Sequence, residues 1–254
     1  LTWSKNDNKI LSLAEGADEN QVISTVGTAS IIGRVGGTTG DLWGYKLVRD
    51  PEGNVIIGDN GLPEQADEIE YVGTAYADWK AGWYNEFSYK GFKLGILLDG
   101  QVGGTIYSMS FHKMMEQGKL TQSLNGRLPG TEYYMDANDP RIAAAGYTPQ
   151  SGMYMIAPGV VRNDDGTFSP NTKVVTIESF YKEYYRRANV ETNSFDASFL
   201  KIREIRLEYE LPKKVLEKSP FSKASIAVYG RNLWCFTDYP LFDPESVALD
   251  GSSM

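Results

Sequence analysis

The sequence predicts an all-β fold of long antiparallel strands, and three observations carry that prediction. Residues 79–101, "WKAGWYNEFSYKGFKLGILLDGQ", alternate large apolar and polar side chains on both sides of a Lys90-Gly91 pair. Residues 199–212 and 224–236, "FLKIREIRLEYELP" and "ASIAVYGRNLWCF", form a second alternating pair. No long stretch repeats apolar residues at helical spacing. A period of two is the signature of a strand with two unlike faces.

The first hairpin fixes its own register. With Lys90 and Gly91 as a two-residue turn, glycine supplies the positive φ that such turns need. Tyr89 then pairs with Phe92, Phe87 with Leu94, Asn85 with Ile96 and Trp83 with Leu98. The opposite face pairs Ser88 with Lys93, Glu86 with Gly95, Tyr84 with Leu97, Gly82 with Asp99 and Lys80 with Gln101. Only Asn85 and Leu97 break the sorting, and a one-residue slip would destroy it. In the second pair, Ile205, Leu207, Tyr209 and Leu211 share one face and Glu204, Arg206, Glu208 and Glu210 the other. The returning strand puts Ile226, Val228, Trp234 and Phe236 on one side and Tyr229, Arg231 and Cys235 on the other. "LTWSKNDNKI" at the start reads as the end of a further strand.

The connections alternate in length. The turns at 90–91 and 212–223 are short; the links over about 11–73 and 102–196 are long. In an up-and-down sheet this sends all short turns to one end and all long loops to the other, as in transmembrane β-barrels. Trp79 to Tyr89 is 11 residues, and a tilted strand needs about 9–11 to cross a bilayer. A soluble β-sandwich with carbohydrate-binding loops fits the same alternation, because alternation does not say which face is inside. The 102–196 link holds half of the 16 tyrosines and six of the seven methionines, too much apolar surface for plain disorder. Short helices are expected at about Ser110 to Gly118 and Ile177 to Ala188, and short strands near Ile31 and at Trp43 to Val48.

Composition excludes several functions. The net charge is −8 over 254 residues, against a nucleic-acid binder, which needs a basic face. Cys235 is the one cysteine and His112 the one histidine, so a disulfide, a cysteine metal site and most histidine-dependent catalysis are unexpected. No apolar run approaches the roughly 18 residues of a membrane-spanning helix. Three catalytic look-alikes are incomplete. Ser110-Phe111-His112-Lys113 fits S-x-x-K without its S-D-N or K-T-G partners. "GRVGGTTG" (33–40) lacks the lysine of a phosphate loop. Asp164-Asp165 would suggest a glycosidase only with a second carboxylate across a cleft. No catalytic residue, cofactor or metal ligand is assigned, and His112 reads as an ordinary loop residue.

"FYKEYYRRANVETNSFDASFLKIREIRLEYELP" (180–212) followed by "ASIAVYGRNLWCFTDYPLFDPE" (224–245) resembles the C-terminal barrel of the SusC/RagA family, the TonB-dependent outer-membrane transporters of Bacteroidota. "DWKAGWYNEFSYKGFKLGILLDGQVGGTIYS" (78–108) resembles the hairpin of that family, and "LTWSKNDNKILSL" (1–13) a strand end. "GYKLVRDPEG" (44–53) is a fragment of similar kind. The fold this implies is all-β: part of a large antiparallel transmembrane β-barrel with long extracellular loops, a fragment cut at both ends. Such a barrel has about 22 strands around a plugged lumen, of which one partial domain, residues 1–254, would carry about a quarter. The signal peptide, plug and TonB box are expected outside this sequence, and so are the strands beyond "LDGSSM". "GDNGLPEQADE" (58–68) only partly matches the acidic segment of the family, and no calcium site is assigned.

The resemblance also implies a function. The whole protein would import oligosaccharides or peptides across the outer membrane, energised through TonB, with a SusD-like surface lipoprotein as its lid. It would not be an enzyme. Trp83, Phe87, Phe92, Leu94, Ile96 and Leu98 would face outer-membrane lipid, while Lys80, Glu86, Lys93 and Asp99 meet water and the plug. The substrate-binding candidates are Tyr133, Tyr134, Tyr147 and Tyr154 of the long loop, Arg186 and Arg187, and Trp43 and Tyr45 with Asp41 of the first loop. Aromatic rings stack on sugars and peptide side chains at small entropic cost; the competing role for the tyrosines is to pack the loop against itself.

Overall fold

The computed structural model describes residues 1–217, 219–241 and 243–246; the "LDGSSM" end lies outside them. In chain order the strands are β1 (Thr2–Ser4), β2 (Gln21–Val26), β3 (Ala29–Gly33), β4 (Asp41–Gly44), β5 (Glu70–Thr74), β6 (Trp79–Tyr89), β7 (Phe92–Val102) and β8 (Thr105–Tyr107). Helices α1 (Met109–Glu116) and α2 (Pro140–Ala144) follow. Short strands β9 (Tyr154–Ile156), β10 (Val160–Arg162), β11 (Phe168–Pro170) and β12 (Val174–Thr176) lead into α3 (Ile177–Tyr184). The chain closes with β13 (Ser194–Asp196), β14 (Phe199–Glu210), α4 (Lys213–Leu216) and β15 (Ser225–Thr237). They fall into two compact units: residues 1–8, 74–106 and 195–254, and residues 9–73 with 107–194.

The first unit is an antiparallel sheet in the order β1-β6-β7-β14-β15. The β6–β7 register is the one the Lys90-Gly91 turn dictates, from Tyr89 opposite Phe92 to Lys80 opposite Gln101. Lys90 has φ 46° and Gly91 φ 86°, the pair of positive values of the tight turn that matches strand twist. β14 lies against β7 with Tyr209 opposite Phe92 and Phe199 opposite Gln101. Both short connections therefore sit at one end of the sheet, and both long links leave from the other.

A bulge at Arg203 keeps the faces sorted. Ile202 pairs with Leu98, yet Glu204 pairs with Leu97, so Arg203 is one extra residue in β14. An extra residue shifts the side-chain period by one. Leu200 and Ile202 share the apolar face with Ile205, Leu207 and Tyr209, although the sequence changes parity between them. β15 follows, with Ile226 opposite Tyr209, Val228 opposite Leu207 and Trp234 opposite Ile202.

This gives one face of bare apolar side chains. Phe87, Tyr89, Phe92, Leu200, Leu207, Ile226, Val228, Trp234 and Phe236 are exposed, Val228 by 73%. Leu94 and Ile96, flanked by strands on both sides, are half-buried. The opposite face is charged and internally bonded. Arg231 Nε donates to Glu204 at 2.9 Å, Arg206 bonds Glu208, and Lys93 lies 3.8 Å from Glu210. Tyr84 leans over Gly95, where a Cβ would come within 3.1 Å of its hydroxyl, and donates to Glu86 at 3.1 Å. Lys201, 3% exposed, bonds Asp243 and Glu245, and Arg203 bonds Asp99 at 2.6 Å and Glu245 at 2.5 Å.

The second unit gives the long links regular structure of their own. β2 to β5 form a four-stranded sheet in sequence order, and β9 pairs with β12 and β10 with β11. Ala29, Leu42 and Val190 make one core cluster, with Ile31, Val72 and Tyr107 packed on it. Gly44 is there for space, since a Cβ would overlap the Val190 side chain. Ser108 caps α1 by accepting from Phe111 N, and Thr176 caps α3 by accepting from Ser179 N, each the helix start signal of a hydroxyl residue. Among the described residues no helix is long and apolar enough to cross a membrane.

Candidate functional site

α1 and α3 pack through Phe111 against Tyr185, ring centroids 5.5 Å apart, and build the chemical centre of the second unit. His112 is not a loop residue. It lies one position after Phe111 on the buried side of α1 and is 1% exposed. Its Nδ1 is 2.6 Å from the Tyr185 carbonyl, so Nδ1 carries the hydrogen and donates. Its Nε2 faces Glu116 at 3.8 Å. The carbonyls at the end of α3 are covered by side chains: Asn189 Nδ2 donates to Glu183 O and Tyr184 O, and Thr192 Oγ1 to Tyr184 O. Tyr184 and Tyr185 stack edge to face at 4.8 Å. Burial pushes the Tyr185 hydroxyl far above the usual tyrosine range, with the Tyr184 and Tyr181 hydroxyls adding to it. These buried, hydrogen-bonded groups lock α1 against the end of α3.

Beside it, between α1 and α3, opens a cleft of about 560 Å³. Lys113 and Glu116 line it from α1, Glu178 and Lys182 from α3, with Arg127, Met153 and Ile177 below. Lys113 holds the Glu116 carboxyl below the ordinary glutamate range, helped by His112 and Lys182. Lys182 does the same for Glu178, helped by Arg127. Both acids stay ionised at neutral pH, so the cleft carries charges of both signs. A second hollow of about 430 Å³ is lined by Asp59, Arg141, Lys173 and Val174.

None of the substrate-binding candidates named from the sequence is among the residues lining either space. Tyr147 and Tyr154 pack on each other at 4.9 Å within the cluster of Met135, Ile142 and Val174, and Tyr154 donates to Thr148 O at 2.9 Å. They hold the loop together. Tyr133 and Tyr134 are half-buried; burial, and after it Glu132, raises the Tyr133 hydroxyl. Arg186 pairs with Glu183 at 2.8 Å, and Arg187 lies over Gly27 while its carbonyl accepts from Thr28. Trp43 is sandwiched between Tyr71, edge-on at 5.8 Å, and the Arg34 guanidinium 3.8 Å above its ring. Tyr45 accepts main-chain bonds from Val190 and Glu191, and Asp41 is buried as the acceptor of the Thr38 amide. What sequence reasoning missed is the charged cleft, although the Glu178–Lys182 and Lys113–Glu116 spacings mark the solvated edges of two helices.

Comparison with known proteins shows what the chain resembles. No family model matches the chain. TonB-dependent receptor P3 of Formosa agariphila is 24% identical over 270 residues, covering 97% of this chain and 23% of that protein. The structure of the RagAB peptide importer in its closed-closed state superposes with a TM-score of 0.56 at 14% identity, over 97% of this chain and 24% of that one. Its open-open state gives 0.55 at 14% identity, over 99% and 24%. The chain thus spans about a quarter of the length of the relatives it matches. Its fold is that of a part of the large antiparallel β-barrel in these importer structures. The resemblance carried by the "RRANVETNSFDASFLKIRE" and "FDPE" motifs points the same way as these comparisons: the proteins this chain is similar to are a TonB-dependent receptor and a peptide importer.

Proposed function

We propose that the chain belongs to an outer-membrane importer that takes up oligosaccharides or peptides with energy relayed through TonB. The sheet of β1, β6, β7, β14 and β15 is its contribution to the barrel wall. The observation that carries this reading is the face of Trp83, Phe87, Phe92, Leu207, Val228 and Trp234, large, apolar and solvent-exposed, set back to back with a charged and bonded face. A patch of this size in contact with water would be an aggregation site; in contact with lipid it is the outer belt of a barrel. The two edges of the sheet support the same reading. β15 offers thirteen residues of main chain on its outer side, and such edges are closed by further strands. The connections Lys9–Gly73 and Tyr107–Ser194 then serve the outer surface, where a SusD-like lipoprotein would close over them. TonB would act through a part of the protein beyond this chain.

Spin labels at positions 92–99 of the intact receptor in lipid test it. Oxygen accessibility that is high at Phe92, Leu94, Ile96 and Leu98 and low at the positions between them is the expected result. Shielding of those four positions from both oxygen and polar reagents would make the apolar face a protein core and remove the importer reading.

A further inference from the structure

The three cations of the α1–α3 cleft are not equally engaged. Lys113 Nζ lies 2.9 Å from Glu116 Oε2 and Lys182 Nζ 2.5 Å from Glu178 Oε1. Arg127 has no such carboxylate within ion-pair distance among the described residues. It is nevertheless held in place. Its Nε donates to the Ser123 carbonyl at 3.1 Å, and Ser123 is itself fully buried, its hydroxyl donating to Leu120 O at 2.6 Å. From the other side Gly152, at φ 68°, lets two main chains meet where a Cβ would overlap the Arg127 carbonyl. A guanidinium anchored at Nε keeps its two Nη groups for a ligand. Little side-chain freedom remains to be lost when one binds.

We propose that Arg127 is a carboxylate-binding subsite and that its ligand is the C-terminal end of a short peptide. The planar fork of arginine takes a carboxylate through two parallel hydrogen bonds. Met153, 42% exposed, lies in the same cleft beside Ile177 and offers an adaptable apolar floor for the terminal side chain. Glu116 and Glu178, both ionised, supply negative charge for cationic groups further along the peptide. Among the described residues no aromatic ring lines the cleft, and a sugar would want such a flat platform to stack on. The inference rests on the importer reading and gives it a substrate class.

The test is calorimetric titration of the intact receptor in detergent with Ala-Ala-Leu as the free acid and as the C-terminal amide. The acid is expected to bind about tenfold or more tightly than the amide. Arg127→Gln should abolish that preference and Arg127→Lys should retain only part of it, with thermal melts confirming that both variants are folded. A preference that persists in Arg127→Gln overturns the subsite. So does failure of the free acid to bind. A tri-galacturonate whose binding is lost in Arg127→Gln, with no effect on the peptide, overturns the peptide assignment. The spin-label pattern at 92–99 reports on the importer reading separately, so a failed subsite and a failed barrel are distinguishable.

Discussion

Lys201 and Asp243 meet as an ion pair across a fold-back of the chain, with the lysine near the start of β14 and almost wholly buried. Glu245 joins the same ammonium, and Arg203 ties Glu245 to Asp99 of β7. Asp243 and Glu245 are thereby fastened to the charged face of the sheet by salt bridges. Tyr239 and Leu241 pack on Ile106 and Ala197 alongside.

Lys201→Met should destabilise the protein. It leaves two carboxylates together with Arg203 as their remaining cation. The carboxylates are half-exposed, so the expected loss is about 1–3 kcal/mol rather than that of a fully buried pair. Urea unfolding in detergent measures it, and adding Glu245→Gln should recover part. No change would show that the fold-back is held by Tyr239 and Leu241 alone.

Gly91→Ala should cost about 1–2 kcal/mol, since alanine pays for a left-handed φ and its Cβ would come within 3.2 Å of Glu210 O. Lys90→Asn, at the other positive-φ position, should be neutral or slightly stabilising. Equal effects of both substitutions would contradict the turn geometry. The same urea series reads the difference.

Gly44→Ala should destabilise the second unit by about 1–3 kcal/mol, because Val190 is fully buried and cannot yield. Val190→Ala on its own opens a cavity, but combined with Gly44→Ala it should restore much of the loss. A double-mutant cycle with no coupling between the two positions would refute the overlap.

Much of the five-stranded sheet was legible because strand residues are chosen by their two faces. The β6–β7 register follows from one turn and a strict alternation. Arg203 shows where legibility stops. The apolar positions run Leu200, Ile202, then Ile205, Leu207, and only pairing with β7 shows the skipped step to be a bulge rather than a polar interruption. The second unit was hardly legible. Its strands are three to six residues long and are held by contacts such as Tyr45 with Val190, far apart in sequence. The tyrosines chosen for binding carried the same composition signal as core residues, and Tyr147 and Tyr154 are core residues. His112 escaped notice for the same reason: its burial comes from α3, not from its neighbours in the chain.

Asp139 offers a pH test. It caps α2 and pairs with Arg141 at 2.6 Å, which brings its pKa down to about 2 from an ordinary 3.8. A lowered folded-state value contributes stability that is complete above about pH 4 and is lost as pH falls through 2. Asp139→Asn keeps the cap but not the charge. The melting temperature of the wild type should exceed that of the variant at pH 7, and the gap should close between pH 4 and 2. A gap that widens on acidification would contradict the assignment.

The extra residue at Arg203 gives β14 a place where its length can change. In an unbroken strand the loss of one residue turns everything beyond it to the other face. Here the loss of Arg203 itself would leave Leu200, Ile202, Ile205, Leu207 and Tyr209 in strict alternation, with Ile202 opposite Leu98 and Glu204 opposite Leu97 as before. Such a deletion would cost the bonds of Arg203 to Asp99 and Glu245 but not the sorting of the faces, whereas one codon lost from β6 or β7, which have no such step, would invert the rest of the strand.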